Sequence, residues 1–387
     1  MQRGSLRKRG ATWTAYYFTD DGTRRQHSKG GFRTKAEAQA YLTEVLGRIQ
    51  RREFVEPHKL TLGEYLTERW LPAQEINLRS TTYASYESII RLHIIPHLGN
   101  VAVQDITPDQ LDRLYANLLK SGRRNGPAGQ GLSVKSVRHV HTVLQRALRD
   151  AVRKRLIANN PAPDSDPPKL RQAPDKEIKT WTSEEVAQFL DGMKNHPLSA
   201  AFHLAATTGM RRGEVLGVRW GDINFETSEV SIRQTVLNVR YGITIGTPKT
   251  ANSRRTIPLD PTTLDRLAEH RRDQDEVKGI MGDDYIDQDL VFTRPDGSPV
   301  HPDFMSQTFE RSVKRLGLPR IRFHDLRHTY ATMSLAASIQ SKVVSGRLGH
   351  SNMNFTLDVY THRVEALERE AANKVADLIY NSRKPKE

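Results

Sequence analysis

The stretch FHDLRHTYATMSLAASIQSKVVSGRLGHSNMNFTLDVY, Phe323 to Tyr360, decides how the rest of the chain is read. It holds no proline or glycine before Gly346, so it reads as helical, and His324 and Arg327, three residues apart, then share one face. A base and a fixed cation point the same way. Leu348-Gly349-His350 supplies a turn and a second imidazole, and Tyr360 follows ten residues later, across a short polar stretch. Two imidazoles, a guanidinium and a phenol suggest an oxygen nucleophile attacking an anionic centre, most naturally a phosphodiester.

Composition agrees with an anionic partner. Lys and Arg number 59 against 45 Asp and Glu, a net charge of +14 that makes a polyanion the expected ligand. The 387 residues are enough for two or three domains, each with its own core. With no cysteine, a disulfide frame, a thiolate nucleophile and a Cys-ligated zinc site are excluded. No apolar run approaches the roughly 18 residues of a membrane span, and MQRGSLRKRG has no hydrophobic stretch behind its basic residues. A soluble, cytoplasmic protein with no membrane partner is the expectation.

Upstream of the opening stretch the chain divides by pattern, and the fold class expected is multidomain, mainly α with small antiparallel β elements. Residues 1–56 carry twelve Lys and Arg against six Asp and Glu. There TWTAYYF (12–18) and 23–28 read as strands joined at Asp20-Asp21-Gly22, Gly30-Gly31 as a further turn, and Thr34-Lys35-Ala36-Glu37 as a capping box. Such a basic β-sheet with one helix suits a DNA groove. Residues 60–158 read as a helical bundle: a capping box at Thr61-Glu64, a stripe ending at Pro72, a helix from Ser80 towards Pro96 and Gly99, and Thr107-Pro108 as cap and first turn. Its longest helix carries Val137, Val140, Leu144, Leu148 and Ala151 on one face and a run of arginines on the other. Residues 159–180, with five prolines, read as a semi-rigid linker.

Residues 181–387 begin at the cap signal Trp181-Thr182-Ser183-Glu184-Glu185 and read as an α+β domain. In TTGMRRGE, a glycine on each side of Arg211 lets the backbone turn tightly and aim that side chain into a cleft, with Glu214 near enough to hold it. Runs 229–237 and 255–259 read as antiparallel strands, with Lys249 on a connecting loop, and helices are expected near 261–279 and 303–316.

TTGMRRGE, TPKT followed by RRTIPL, HDLRHT, LGHS and TLDVYTH stand in the order and spacing of the tyrosine recombinases, the phage-type integrases, which the chain therefore resembles motif by motif over 181–365. Residues 60–157 look like that family's core-binding domain and 1–56 like its arm-binding domain. The resemblance implies a C-shaped clamp on double-stranded DNA, with Arg211, Lys249, His324, Arg327 and His350 around the phosphate and Tyr360 as nucleophile. It implies a homotetramer acting at core and arm sites, with accessory DNA-bending or directionality proteins as further partners, and neither cofactor nor metal. In one respect the chain departs from the pattern: many relatives have a glycine after the HDLRHT helix, where Ala336-Ala337-Ser338 stands here.

The chemistry supports those roles independently. Paired guanidiniums match the non-bridging oxygens of a phosphodiester in transfer, hence Arg211 and Arg327. A free phenol has a pKa of about 10, so Tyr360 needs a proton acceptor, for which His324 is the better candidate, while Lys249 is the natural donor to the leaving 5′ oxygen. His324/His328 and His93/His97 have zinc-pair spacing but no third ligand where a zinc helix would need it. Two other readings stay open at this point: a type IB topoisomerase working as a monomer, and a DNA-binding regulator that has lost catalysis.

Overall fold

The computed structural model describes residues 4–20, 24–51, 54–123, 129–170, 179–239, 242–247, 254–349, 375–376 and 379–380. They fall into two compact units, 1–174 and 175–387, each considered by itself.

The first unit contains two separate cores. Strands β1 (Gly4–Arg9), β2 (Thr12–Asp20) and β3 (Arg24–Phe32) form an antiparallel sheet in that order, and helix α1 (Lys35–Gln50) packs Leu42 and Val45 against Ala15 and Tyr17. Thr34 and Glu37 close the capping box foreseen from the sequence. Strand β1 escapes a pattern reading because its basic run GSLRKR offers Leu6 alone as an apolar signal. Gly30-Gly31 is not a turn: both lie inside β3, where Gly31 has φ +90° beside a register shift at Trp13/Ala15. The glycine pair accommodates a bulge, which needs a backbone conformation that L side chains resist.

The second core is the helical bundle. Its first two helices run as α2 (Leu62–Glu64), a π-helical stretch Tyr65–Trp70 and α3 (Leu71–Gln74), then α4 (Ser80–Ile89), a second π-helical stretch Ile90–Ile94 and α5 (Ile95–Leu98). Both π stretches stand just ahead of a helix with proline in its first turn, Pro72 and Pro96. A proline inside an α-helix collides with the carbonyl four residues back. Here Leu71 N donates to Leu66 O and Ile95 N to Ile90 O, five residues back, and the widened turn lets the chain pass through Pro72, read from sequence as the end of its stripe, and through Pro96 on the way to Gly99.

Helices α6 (Pro108–Ser121) and α7 (Val134–Arg153) complete the bundle, with Val137, Val140, Leu144, Leu148 and Ala151 all buried. The polar groups of Tyr65, Trp70 and Asp150 inside this core are paired. Trp70 Nε1 donates to Asp150 Oδ2 at 2.9 Å, and Tyr65 Oη donates to the Ala147 carbonyl at 2.8 Å. Asp150→Ala is therefore expected to leave a buried indole N–H without its acceptor and lower stability by about 1 to 3 kcal/mol, read as a drop in the melting midpoint of residues 1–174 within the full chain. The proline-rich segment is fastened to the bundle as far as residue 168: Asn160 Nδ2 donates to Gln145 O, Asp166 N to Asp112 Oδ1, and Arg138 Nη1 to Pro168 O.

The second unit is built around α9 (Ser199–Thr208), buried at Ala200, Ala201, Phe202, Leu204, Ala205 and Thr208, with α8 (Ser183–Gly192) before it and α10 (Arg212–Leu216) after it. Next come β4 (Ile223–Asn224), β5 (Glu229–Ile232), β6 (Thr235–Val239), β7 (Gly242–Gly246) and β8 (Arg255–Pro258). The run 229–237, read as one strand, is two: β5 joins an antiparallel sheet β4-β5-β8, while β6 pairs with β7 in a hairpin. Helices α11 (Pro261–Met281), α12 (Pro302–Arg315), α13 (Asp325–Ala336) and α14 (Ser341–Leu348) follow.

Rings from distant positions, Trp181, Phe189, Phe202, Phe309 and Phe323, meet in one aromatic cluster. Each buried phenyl contributes about 1.5 to 3 kcal/mol of transfer free energy, enough to hold α8, α9, α12 and the segment entering α13 in register. Trp181 also donates through its amide to Thr329 Oγ1 and through its indole to Pro319 O, which fixes the entry to the unit against α13. Among the described residues no helix is long and apolar enough to cross a membrane.

Candidate active site

Helix α9 ends at Gly209, whose φ of +65° is the left-handed conformation that terminates a helix. A side chain there would also collide: a Cβ would stand 2.6 Å from both Leu348 and the Tyr330 ring. The tight exit makes Arg211 the N-cap of α10, half-exposed, with its guanidinium held by Glu214 at 2.7 Å. Glu214 Oε2 also accepts the Arg211 amide at 3.0 Å, so one carboxylate fixes both backbone and side chain of that arginine. Gly213 brings the β6–β7 hairpin close, since a Cβ there would lie 2.5 Å from Val236 O.

Arg327 lies on α13 and is 3% exposed, a burial that a guanidinium tolerates only when its donors are satisfied. Its Nη1 donates to Gly209 O at 2.9 Å and its Nη2 to Leu348 O at 2.6 Å. Arg211 Nη2 donates to the next carbonyl, Gly349 O, at 3.2 Å. Arg211 and Arg327, far apart in sequence, therefore meet at the Leu348-Gly349 turn. Gly349 has φ +65° and caps α14, whose C-terminal carbonyls carry the negative end of the helix dipole and attract cations.

His324 stands one residue before the helix, as the N-cap of α13, rather than within it. Its ring meets the His328 ring edge-to-face at 5.4 Å. Desolvation of its packed side, then the neighbouring His328 and Arg327, push its pKa down to about 4. Part of the residue faces solvent, which softens the burial effect, but the cationic neighbour opposes protonation in any case. At neutral pH the ring is an uncharged imidazole with a lone pair to offer. Beside it, Asp325 forms a two-pronged ion pair with Arg322, at 2.6 and 3.0 Å.

His328, His270, His203 and His196 are also displaced downward, each chiefly by burial. A histidine whose folded pKa lies below its unfolded value binds fewer protons when folded, so the stability it lends is complete above about pH 6.5 and is lost as pH falls towards the folded value. Melting of the protein at pH 5.5 is thus expected below that at pH 7.5, in a window where carboxylates have not yet titrated. An unchanged or raised midpoint at pH 5.5 would contradict the buried, neutral state of these rings.

Of the six groups singled out from sequence, the structure brings Arg211 and Arg327 to one turn and sets His324 three residues before Arg327. Lys249, His350 and Tyr360 lie outside the described residues. The glycine-less turn after α13 has its own solution: Ser338 adopts φ +60° there, the left-handed conformation that a glycine would take at lower cost. Arg255, read from sequence as the start of the strand 255–259 within RRTIPL, pairs with Glu214 at 3.0 Å.

Residues 179–366 match the phage integrase family, 61–119 its N-terminal SAM-like domain, and 5–49 an arm DNA-binding domain. The XerC-like tyrosine recombinase of Caldanaerobacter subterraneus subsp. tengcongensis is 31% identical over 363 residues, spanning 89% of this chain and 90% of that protein. Among solved structures, the Tn1549 transposon integrase in complex with a circular intermediate DNA superposes with a TM-score of 0.66 at 19% identity, covering 82% of this chain and 99% of that one. The lambda integrase tetramer bound to a Holliday junction gives a TM-score of 0.58 at 19% identity, covering 92% and 94%. A phage integrase family match over the unit that contains the arginine pair, and a tyrosine recombinase relative matched along nearly its whole length, place this chain in the phage integrase family of tyrosine recombinases.

Proposed function

We propose that the protein is a site-specific DNA recombinase that carries a mobile element into or out of a host DNA through a 3′-phosphotyrosine intermediate. Tyr360 Oη attacks the scissile phosphorus, forming a tyrosyl P–O bond as the bond to the 5′ oxygen breaks. His324 takes the phenolic proton, and Lys249 delivers one to the departing 5′ oxygen. Arg211 and Arg327 bind the non-bridging oxygens, where negative charge grows in the transition state, and His350 donates a further hydrogen bond. One phosphate ester is exchanged for another, so a 5′ hydroxyl from a second strand reverses the step without ATP.

The observation that carries this reading is the meeting of Arg211 and Arg327 at the turn immediately before His350. Two fixed guanidiniums on one helix end form an oxyanion clamp of the kind that phosphoryl transfer needs. The division of labour follows the same reading: 1–56 binds arm-type sites, 60–158 binds core sites, 159–180 links them to the catalytic segment 181–387, and four copies act on two duplexes. The tetrameric lambda integrase on its junction supports that assembly, and accessory DNA-bending or directionality proteins are further partners on this reading.

The test is a nicked duplex spanning the junction between the element and its flanking DNA, which loses a short product on cleavage and so cannot be resealed. The wild type is expected to form a denaturant-resistant protein–DNA complex on it. Sedimentation with paired sites should give a tetramer, and a monomeric complex would favour the topoisomerase reading instead.

A further inference from the structure

The last carbonyls of α14 and its cap, those of Arg347, Leu348 and Gly349, each receive an arginine from a different part of the chain. Arg327 takes Leu348, Arg211 takes Gly349, and Arg255, the first residue of β8, donates its Nε to Arg347 O. Two of the three belong to the phosphate clamp. The third has no assigned part in the reaction, and its side chain is only 8% exposed.

The other end of Arg255 explains why a cation is buried there. Its Nη2 donates to Glu214 Oε2 at 3.0 Å and its Nη1 to Oε1 at 3.4 Å. The same two oxygens accept the Arg211 amide and the Arg211 guanidinium. Glu214 is 3% exposed, so its charge is not screened by water. With Arg211 as its sole counter-ion, that carboxylate would neutralise the cation meant for the phosphate. Arg211, Arg255 and Glu214 together carry +1, whereas Arg211 with Glu214 carries none. The carboxyl is held below its ordinary range against desolvation by Arg255 foremost and by Arg211, in keeping with that sharing.

We propose that Arg255 is a positioning residue for strand cleavage: it supplies the counter-charge that lets Glu214 anchor Arg211 without cancelling it, and it ties β8 to the helix end from which His350 follows. The inference rests on the recombinase reading. It extends that reading to a residue that touches neither phosphate nor nucleophile. A neutral side chain at 255 leaves an excess negative charge beside the scissile phosphate, and removing the charge of Glu214 as well restores the balance. Mere packing loss would make the double variant no better than the single one.

The measurement is single-turnover cleavage of the nicked junction duplex by the full chain, with folding monitored by circular dichroism. Arg255→Gln is expected to slow cleavage by about 100-fold, the scale of a misplaced or neutralised catalytic group. Arg255→Gln combined with Glu214→Gln is expected to recover about 10-fold of that loss. Arg255→Lys keeps the charge but not the fork that reaches both carboxylate oxygens and the Arg347 carbonyl, so a loss of about 10-fold is expected. It also serves if Arg255→Gln fails to fold. Cleavage by Arg255→Gln or Arg255→Lys at the wild-type rate, or a double variant no faster than Arg255→Gln, would overturn the proposal. A wild type that forms no covalent complex would instead sink the recombinase reading, independently of Arg255.

Discussion

Replacing Tyr360 with phenylalanine is expected to abolish covalent complex formation while leaving DNA binding intact. The substitution removes one oxygen, the proposed nucleophile, and keeps the ring. Loss of a nucleophile that acts in concert with its activating groups typically costs at least about 10⁴-fold in rate. Binding rests instead on many phosphate contacts from a strongly basic chain, so retention of the duplex in a gel-shift assay should change by less than about twofold. Covalent complex persisting at more than a trace in Tyr360→Phe would mean that another residue attacks. Loss of binding together with cleavage would point to a role for the hydroxyl in assembly rather than chemistry.

Arg327→Ala is expected to damage both chemistry and fold, for separable reasons. The guanidinium is buried and bonded to Gly209 O and Leu348 O, so truncation leaves two carbonyls without that donor. That costs about 2 to 4 kcal/mol of stability, seen as a lower melting midpoint. Below that midpoint, cleavage by the folded fraction should fall by about 10²- to 10³-fold or more, the usual effect of removing a donor from a developing oxyanion. Arg327→Lys separates the two: it restores the charge but not the planar fork, and should recover stability further than rate. Near-normal cleavage by Arg327→Ala would remove the arginine pair from the mechanism.

Much of this was legible in the sequence because local chemistry fixes it. The capping boxes at Thr34/Glu37, Thr61/Glu64 and Thr182/Glu185, and the Thr107-Pro108 helix start, all form as the spacing requires. The core face of α7 is the stripe that periodicity marks. What pattern could not reach depends on partners distant in sequence. Pro72 read as a stop because the widened turn that carries the helix past it depends on packing against the bundle. The run 229–237 has one alternation but serves two sheets, since the partners of β5 and β6 are decided elsewhere.

At the site, the sequence could name Arg211, His324 and Arg327, which the structure describes, but not the acid–base environment of His324, which arises from burial and then from His328 and Arg327. Arg255 was visible as a letter in RRTIPL. Its meaning required Glu214, 41 residues upstream, and Arg347, 92 residues downstream.

The most direct test is to identify the atom that carries the DNA. After trapping on the nicked junction duplex, nuclease and trypsin digestion should leave one peptide bearing a nucleotide adduct, Leu348 to Arg363, whose single tyrosine is Tyr360. Mass spectrometry is expected to place a 3′-phosphate ester on that residue, with a free 5′ hydroxyl on the released strand. An adduct on any other side chain, or attachment through a 5′ phosphate, would contradict the account at its centre.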